Sequence, residues 1–541
     1  MRANHIDIFK KSIEEVELTI SNGKIAKIET LGPENSNLKY VLPGFVDAHV
    51  HIESSMLTPS QFARLAVVHG TVSTVSDPHE IANVLGLKGV EFMIADGKRV
   101  PFKFCFGAPS CVPATIFETA GAEINANDIK VLMENPDIGY LAEVMNFPGV
   151  LNNDQELLQK IAWAKANQKP VDGHAPGLRG AAAKSYAAAG ISTDHECFTY
   201  EEAHEKLGYG LKILIREGSA AKNFDALIPL LHEFSDKIMF CSDDKHPDSL
   251  VEGHINLLVK RALKNGYNIW KVLKAACINP VEHYNLNVGL LRIGDPADFI
   301  IINNPNEFEI LETWIDGEKV AQEQKSLIPS LPSEHNNHFS CEAKTPEDFI
   351  VESTEQTGQV KVIKALDGQL ITEKTIEKLE IINGQLQIDT KRDLLKITVV
   401  NRYRNTPPAV AFINNFGLKK GAIASSIAHD SHNIIAIGCS DEKISEAVNL
   451  LIKEKGGIAA VSEKEQIVIP LPIAGIMTDV DGYQLAEQYS QIDQFVKKEL
   501  NTNLGSPFMS LSFMALLVIP ELKLSDKGLF DVNQFQFTLL E

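Results

Sequence analysis

Residues 13–29 (IEEVELTISNGKIAKIE) alternate apolar and polar positions around an Asn-Gly pair, the pattern of an antiparallel hairpin. A second such stretch runs through 289–320, with Asp-Pro and Asp-Gly as its turns. The two are expected to pair into one β-sandwich built from both flanks of the intervening segment. Within that segment, short apolar runs alternate with helical patterns about eight times. The runs are Tyr40–Val46, Thr71–Ser76, Phe102–Gly107, Gly139–Val144, Pro170–Gly173, Gly190–Thr193, Leu211–Arg216 and Lys237–Cys241. Stretches such as Pro59–His69, Asp154–Asn167, Arg179–Ala189 and Phe224–Phe234 fill the gaps with helix-period patterns. Strand and helix alternating at about 30 residues per unit predicts a parallel α/β sheet closed as a (β/α)8 TIM barrel. A doubly wound sheet is disfavoured because no GxGxxG follows the first strand.

The expected domains are a composite β-sandwich from 1–41 and 286–325, a barrel over 42–285, a polar, Pro-containing linker over 326–345, and a C-terminal α/β (α+β) domain over 346–541. The last mixes strand-like runs such as Leu395–Val400 and Ile434–Gly438 with helical stretches such as Glu442–Lys455 and Tyr483–Leu500.

A formal charge of −20 repels phosphate backbones and anionic lipid, which argues against nucleic-acid or membrane-surface roles. The seven cysteines are scattered, with no CxxC pair, as expected of free thiols in a reducing compartment. The first residues lack the apolar run of a secretory signal, and no stretch is long enough to span a bilayer. A cytoplasmic protein is expected, acting as a homodimer on a small molecule.

The chemistry collects where the predicted strands end. His49 and His51 follow the first, Glu143 ends the fourth, His174 follows the fifth, His195 the sixth and Asp243 the eighth. In a TIM barrel these ends converge on one mouth. In His49-Val50-His51 the two-residue period of a strand turns both imidazoles to one face. Four imidazoles and two carboxylates suit two divalent cations, with Glu143 able to give one oxygen to each, and mixed N and O donors fit Mn, Fe, Zn or Co. Any one of these residues alone is more often a cap or a solvated charge; the joint placement is what points to a site. Asp77, His79 and Glu80 in SDPHE, and Lys245 and His246 in SDDKHPD, are further candidates for contact with a substrate, against plain turn or capping roles. HExxH, GxxxxGK[ST] and GxSxG are absent, and the HxE of His51-Ile52-Glu53 lacks the PCxxC of zinc nucleobase deaminases.

LPGFVDAHVHIESSMLTP (42–59) resembles the first-strand motif of the amidohydrolase superfamily, and its HIESSMLTP extension resembles the adenine deaminases within it. SDPHEIANVLG, LAEVMNFPGV, DGHAPGL, STDHE, CSDDKHPD, GDPADFI, GAIASSIAHDSHNI, LPIAGIM and PFMSLSFMALLVIPELKLSDKGL carry the same resemblance across nearly the whole chain. It implies hydrolytic deamination of adenine to hypoxanthine and ammonia, two divalent metal ions, Mn or Fe, and Glu143 as the bridge. On that basis water attacks C6, Asp243 takes its proton and passes it to the leaving amine, and Glu53 or Glu80 protonates N1. Asp77, His79, Lys245 and His246 are then expected on the substrate side. Another amidohydrolase reaction, on a cyclic amide or an acetyl group, or a non-catalytic scaffold on the same fold, are the alternatives. In the last domain His429-Asp430-Ser431-His432 follows a stretch of small residues, and either hydrogen-bonds locally or leans over the barrel mouth.

Overall fold

The computed structural model describes residues 1–541. The apolar runs between 45 and 244 form the eight-stranded parallel ring that their alternation with helices predicts. Its strands are Phe45–His51, Thr71–Ser76, Lys103–Ala108, Ile138–Val144, Val171–Gly173, Thr193–Asp194, Lys212–Arg216, and Ile238–Cys241 continued by Asp243–Asp244. The last strand pairs back onto the first, Asp243 opposite Val50, and between the fifth and sixth strands Ser192 N–H donates to Val171 O (2.8 Å), closing the ring.

The run Tyr40–Val46 divides into two. Tyr40–Pro43 leaves the barrel and pairs with Arg2–Asp7 and Phe299–Ile302; only from Phe45 does the chain enter the ring. Both halves are buried and apolar, so composition does not mark the break. Gly44 does, since a Cβ there would lie 2.3 Å from Val72 Cγ1. Strands from both flanks of the barrel form one continuous eight-stranded sheet that includes Arg2–Asp7, Ser12–Ser21, Lys24–Pro33 and Ile310–Ile315.

Residues 327–345 carry no regular structure beyond a bend into the next domain, yet they are tied down on both sides. Ser330 Oγ accepts from Gln61 Nε2 of the barrel (2.7 Å), and Ser340 N–H donates to Arg402 O of the C-terminal domain (2.7 Å). That domain is a second eight-stranded sheet, mostly antiparallel, with Asp441–Glu454 and Pro507–Phe513 packed on it and Gly482–Lys498 packed against barrel helices. One apolar cluster of 118 buried residues runs through barrel and C-terminal domain alike, so the two share a core. All seven cysteines are free, and no helix is long and apolar enough to cross a membrane.

Candidate active site

The C-terminal ends of the barrel strands bring His49, His51, Glu143, His174, His195 and Asp243 together, all buried. Glu143 stands at the centre. Its Oε2 lies 3.1 Å from His174 Nδ1 and 3.0 Å from His195 Nε2, while Oε1 faces His51 Nε2 at 3.6 Å, so the two oxygens address separate sets of imidazoles. Asp243 Oδ1 lies 3.4 Å from His51 Nε2 and 3.7 Å from His49 Nε2. Asp243 occupies the left-handed region at φ 55°, which interrupts the eighth strand and turns its carboxylate inward.

His51 Nδ1 sits 3.3 Å from the Asp77 carbonyl, which accepts its proton and leaves Nε2 as a bare acceptor. Nε2 of His49 and His51 then approach one another to 3.1 Å with carboxylate oxygens on the far side, and His49 Nδ1 and His174 Nε2 find no partner. Facing acceptors and buried orphaned ring nitrogens are costly unless a cation lies among them. The ligand atoms of His49, His195 and Asp243, and those of Glu143, His174 and His195, lie within 4.8 Å of one another. These residues fit divalent metal ions.

The imidazoles divide electrostatically: burial acts to lower all four, but the carboxylates Asp243, Glu143 and Glu196 outweigh it and hold His51, His174 and His195 above the usual imidazole range. Burial pushes His49 well below the usual imidazole range, keeping it a neutral ligand. Burial acts to raise the Glu143 and Asp243 carboxyls. The imidazoles of His174 and His195 outweigh it for Glu143, and the Arg216 guanidinium for Asp243, so both stay well below the usual carboxylate range.

The SDPHE segment also reaches the mouth. Asp77 lies beneath it, accepting from the backbone N–H of His79 (3.0 Å) and of Glu143 (3.3 Å). His79 turns Nδ1 toward Asp77 (3.3 Å) and Nε2 toward Glu80 (3.4 Å). Glu80 faces the cavity, whereas Glu53 is buried to one side, accepts from Ile81 N–H (3.2 Å), and is pushed by burial up to about 7. Lys245 and His246 do not join them. Lys245 lines a separate pocket with Glu217 and Lys222, and His246 packs edge-on against Tyr489 at 4.7 Å.

Two contributions escaped sequence reasoning, and a third, the loop of His429 over the mouth, is one of the two alternatives the sequence leaves open. Glu196 and Arg216 form a buried pair in which Nη2 donates to Glu196 Oε2 (2.9 Å) and Nη1 to both Glu196 Oε1 and Asp243 Oδ2, the latter at 2.6 Å. Asp244 accepts from Ser54 Oγ. The cavity is roofed by the C-terminal domain, through Leu370, His429, Phe513, Leu516 and Ile519. Arg216 was within reach of the strand-end rule that finds the other six, because it is the charged last residue of the apolar strand Lys212–Arg216. The roof carries no such periodic signal.

A ligand-lined mouth on a closed parallel barrel is the architecture of a metal-dependent barrel enzyme, and the profile described as "Amidohydrolase family" matches residues 40–320, so the chain belongs to that family. The profile "Adenine deaminase C-terminal domain" matches residues 369–536. Adenine deaminases from Sulfurovum sp. (strain NBC37-1), Salinibacter ruber and Borreliella burgdorferi are 57%, 52% and 50% identical to it; they cover 99%, 98% and 99% of this chain, and the matches span 98%, 97% and 98% of those proteins. Within the amidohydrolases, the chain belongs to the adenine deaminase family.

Proposed function

We propose that the protein deaminates adenine hydrolytically, releasing hypoxanthine and ammonia, at a dinuclear centre held by His49, His51, Glu143, His174, His195 and Asp243, with manganese or iron as the metal. The observation that carries this reading is full-length kinship that includes the C-terminal domain roofing the mouth. When bound, the two cations supply the Lewis acidity that makes water nucleophilic near neutral pH.

The chain's own residues do the rest. Asp243, ionised and steadied by Arg216, takes a proton as water adds to C6. Glu80 faces the cavity beside His429, whose imidazole is pushed up to about 9: burial opposes that shift, and the Glu80 carboxylate outweighs it. Burial acts to raise the Glu80 carboxyl, but His429, His432 and His79 outweigh it and hold it well below the usual carboxylate range, so the proton rests on His429 and passes to N1 through Glu80 as a relay. The tetrahedral adduct collapses when Asp243 returns its proton to the amine; the C6–N bond breaks, ammonia leaves, and the remaining hydroxyl proton goes back to the Glu80–His429 pair. Met145, Leu370, Phe513 and Leu516 supply apolar surface for a flat base.

The test is incubation of purified protein with adenine and Mn²⁺ while the ultraviolet spectrum is followed. Conversion to hypoxanthine is expected, with loss of activity on chelation and recovery when Mn²⁺ or Fe²⁺ is returned. An active, metal-free protein would overturn the centre.

A further inference from the structure

Glu80 starts the barrel helix His79–Leu85, yet the groups that meet its carboxylate come from 349 residues further along the chain. Nδ1 of His429 hydrogen-bonds to Oε1, and Nε2 of His432 lies against Oε2 without the alignment of a hydrogen bond, so each oxygen of a buried carboxylate faces a separate imidazole of the C-terminal domain. Both imidazoles are held by their own domain. The His429 ring stacks on Phe513 at 4.6 Å and 19°, and its backbone N–H donates to Ser512 O (3.2 Å). His432 takes the left-handed conformation at φ 55°, with its N–H donating to Ala428 O (2.7 Å). The loop between them is pinned by Tyr403 Oη, which donates to Ser431 O (2.6 Å), and Asn433 Nδ2 donates to Thr119 O of the barrel (2.9 Å). Around the carboxylate stand His79 and Asp430, with His79 Nε2 3.7 Å from Asp430 Oδ1.

We infer that His429 and His432 are positioning residues, supplied by the C-terminal domain, that fix the Glu80 carboxylate in the orientation from which it addresses the ring of the bound base. The inference rests on the deamination reading above. A carboxylate at the start of a helix on the barrel rim has several rotamers open to it, and two imidazoles on rigid backbone leave it one. The contact thereby makes catalysis depend on a domain that holds none of the six ligands. A purely structural role, one ion pair and one imidazole contact stapling one domain to the other, is the competing account. It differs in outcome, because a staple would lower the melting temperature without making Glu80 and the histidines act as one unit.

The experiment compares His429→Leu, His432→Leu, Glu80→Gln and the doubles Glu80→Gln/His429→Leu and Glu80→Gln/His432→Leu in the Mn²⁺-loaded full-length protein. Each single variant is expected to keep two metal ions per chain and to lose about 10²-fold or more in kcat, the scale of a proton-transfer group, with KM for adenine moving much less. Each double is expected to be no slower than Glu80→Gln alone. His429→Asn and His432→Gln, which retain a donor near the position of the ring nitrogen used, are expected to recover part of the loss. Affinity for hypoxanthine, measured calorimetrically, is expected to fall by the same factor in Glu80→Gln and His429→Leu. Should His429→Leu not fold, His429→Gln, which keeps a polar side chain in place of the ring, makes the same comparison with Glu80→Gln. Leucine variants that keep kcat while melting earlier, or losses that multiply in the doubles, would overturn the inference. Wild-type protein that neither turns over adenine nor binds hypoxanthine would instead overturn the deamination reading.

Discussion

Glu143 and Asp243 differ in what surrounds them, and so in what their substitution does. Glu143 gives an oxygen to each of two imidazole sets, so Glu143→Gln is expected to lower the content of both metals, measured by elemental analysis, because a neutral amide bridges two cations poorly. Asp243→Asn is expected to keep most of the metal and to lower kcat by about 10²–10⁴-fold, since it removes a proton acceptor. Near-normal kcat with full metal would remove Asp243 from the proton path. Arg216 is the cation that lets Asp243 and Glu196 stay ionised out of water. Arg216→Met removes the guanidinium shared by two buried carboxylates and leaves them only imidazole neighbours, against a cost of about 3–5 kcal/mol for a broken buried pair. A clearly lower melting temperature is expected, together with lost activity, and an unchanged melting curve would contradict the arrangement.

At the scale of elements, the ligands are only as well placed as the strands that end in them. The strands Val171–Gly173 and Thr193–Asp194 approach so closely that a Cβ on Gly173 would lie 2.3 Å from the Thr193 carbonyl oxygen, which is backbone and cannot swing aside. Gly173→Ala must push the two strands apart, and with them His174 and His195, the residues that follow. Overpacking of this kind costs about 1–3 kcal/mol, and the expected result is a lower melting temperature with weakened metal retention during dialysis against chelator. Full metal retention would show that the strand ends accommodate the shift without moving their ligands.

The whole molecule couples the domains through more than the roof. In the barrel segment that meets the C-terminal domain, Thr119 N–H donates to Asp526 (2.9 Å) and Lys527 Nζ to Glu118 O (2.9 Å). The Glu118 side chain is buried there, and burial, with Asp430 and Asp526 adding to it, pushes its carboxyl up to about 8. The folded state therefore keeps this proton over a range where the unfolded chain, near 4.5, has lost it. Its stabilising contribution is complete below about 4.5 and is lost as pH rises through about 8. Melting temperatures measured from pH 5 to 9 should fall less steeply for Glu118→Gln than for the wild type. The shared core makes a larger claim. Because 118 apolar residues form one cluster through both domains, a chain cut at residue 345 would leave a wide apolar face in water. Aggregation, rather than a soluble metal-loaded barrel, is the expected outcome, read by solubility and metal content.

The barrel and the six candidate ligands at its mouth were legible in the chain alone. An apolar run shows its length and boundaries locally, and a barrel converts strand order into a shared mouth, so residues at strand ends could be gathered without coordinates. It did not decide where Tyr40–Val46 breaks, because both halves are equally buried and differ only in which sheet they join. Nor did it separate Glu80 from Glu53, or remove Lys245 and His246 from the mouth. Those outcomes depend on the direction a side chain takes from a turn and on what packs against it. The roof lay furthest from local pattern. His429 meets Glu80 across 349 residues through a surface with no period of its own, and contacts of that range are fixed only when both domains have folded and packed into one core.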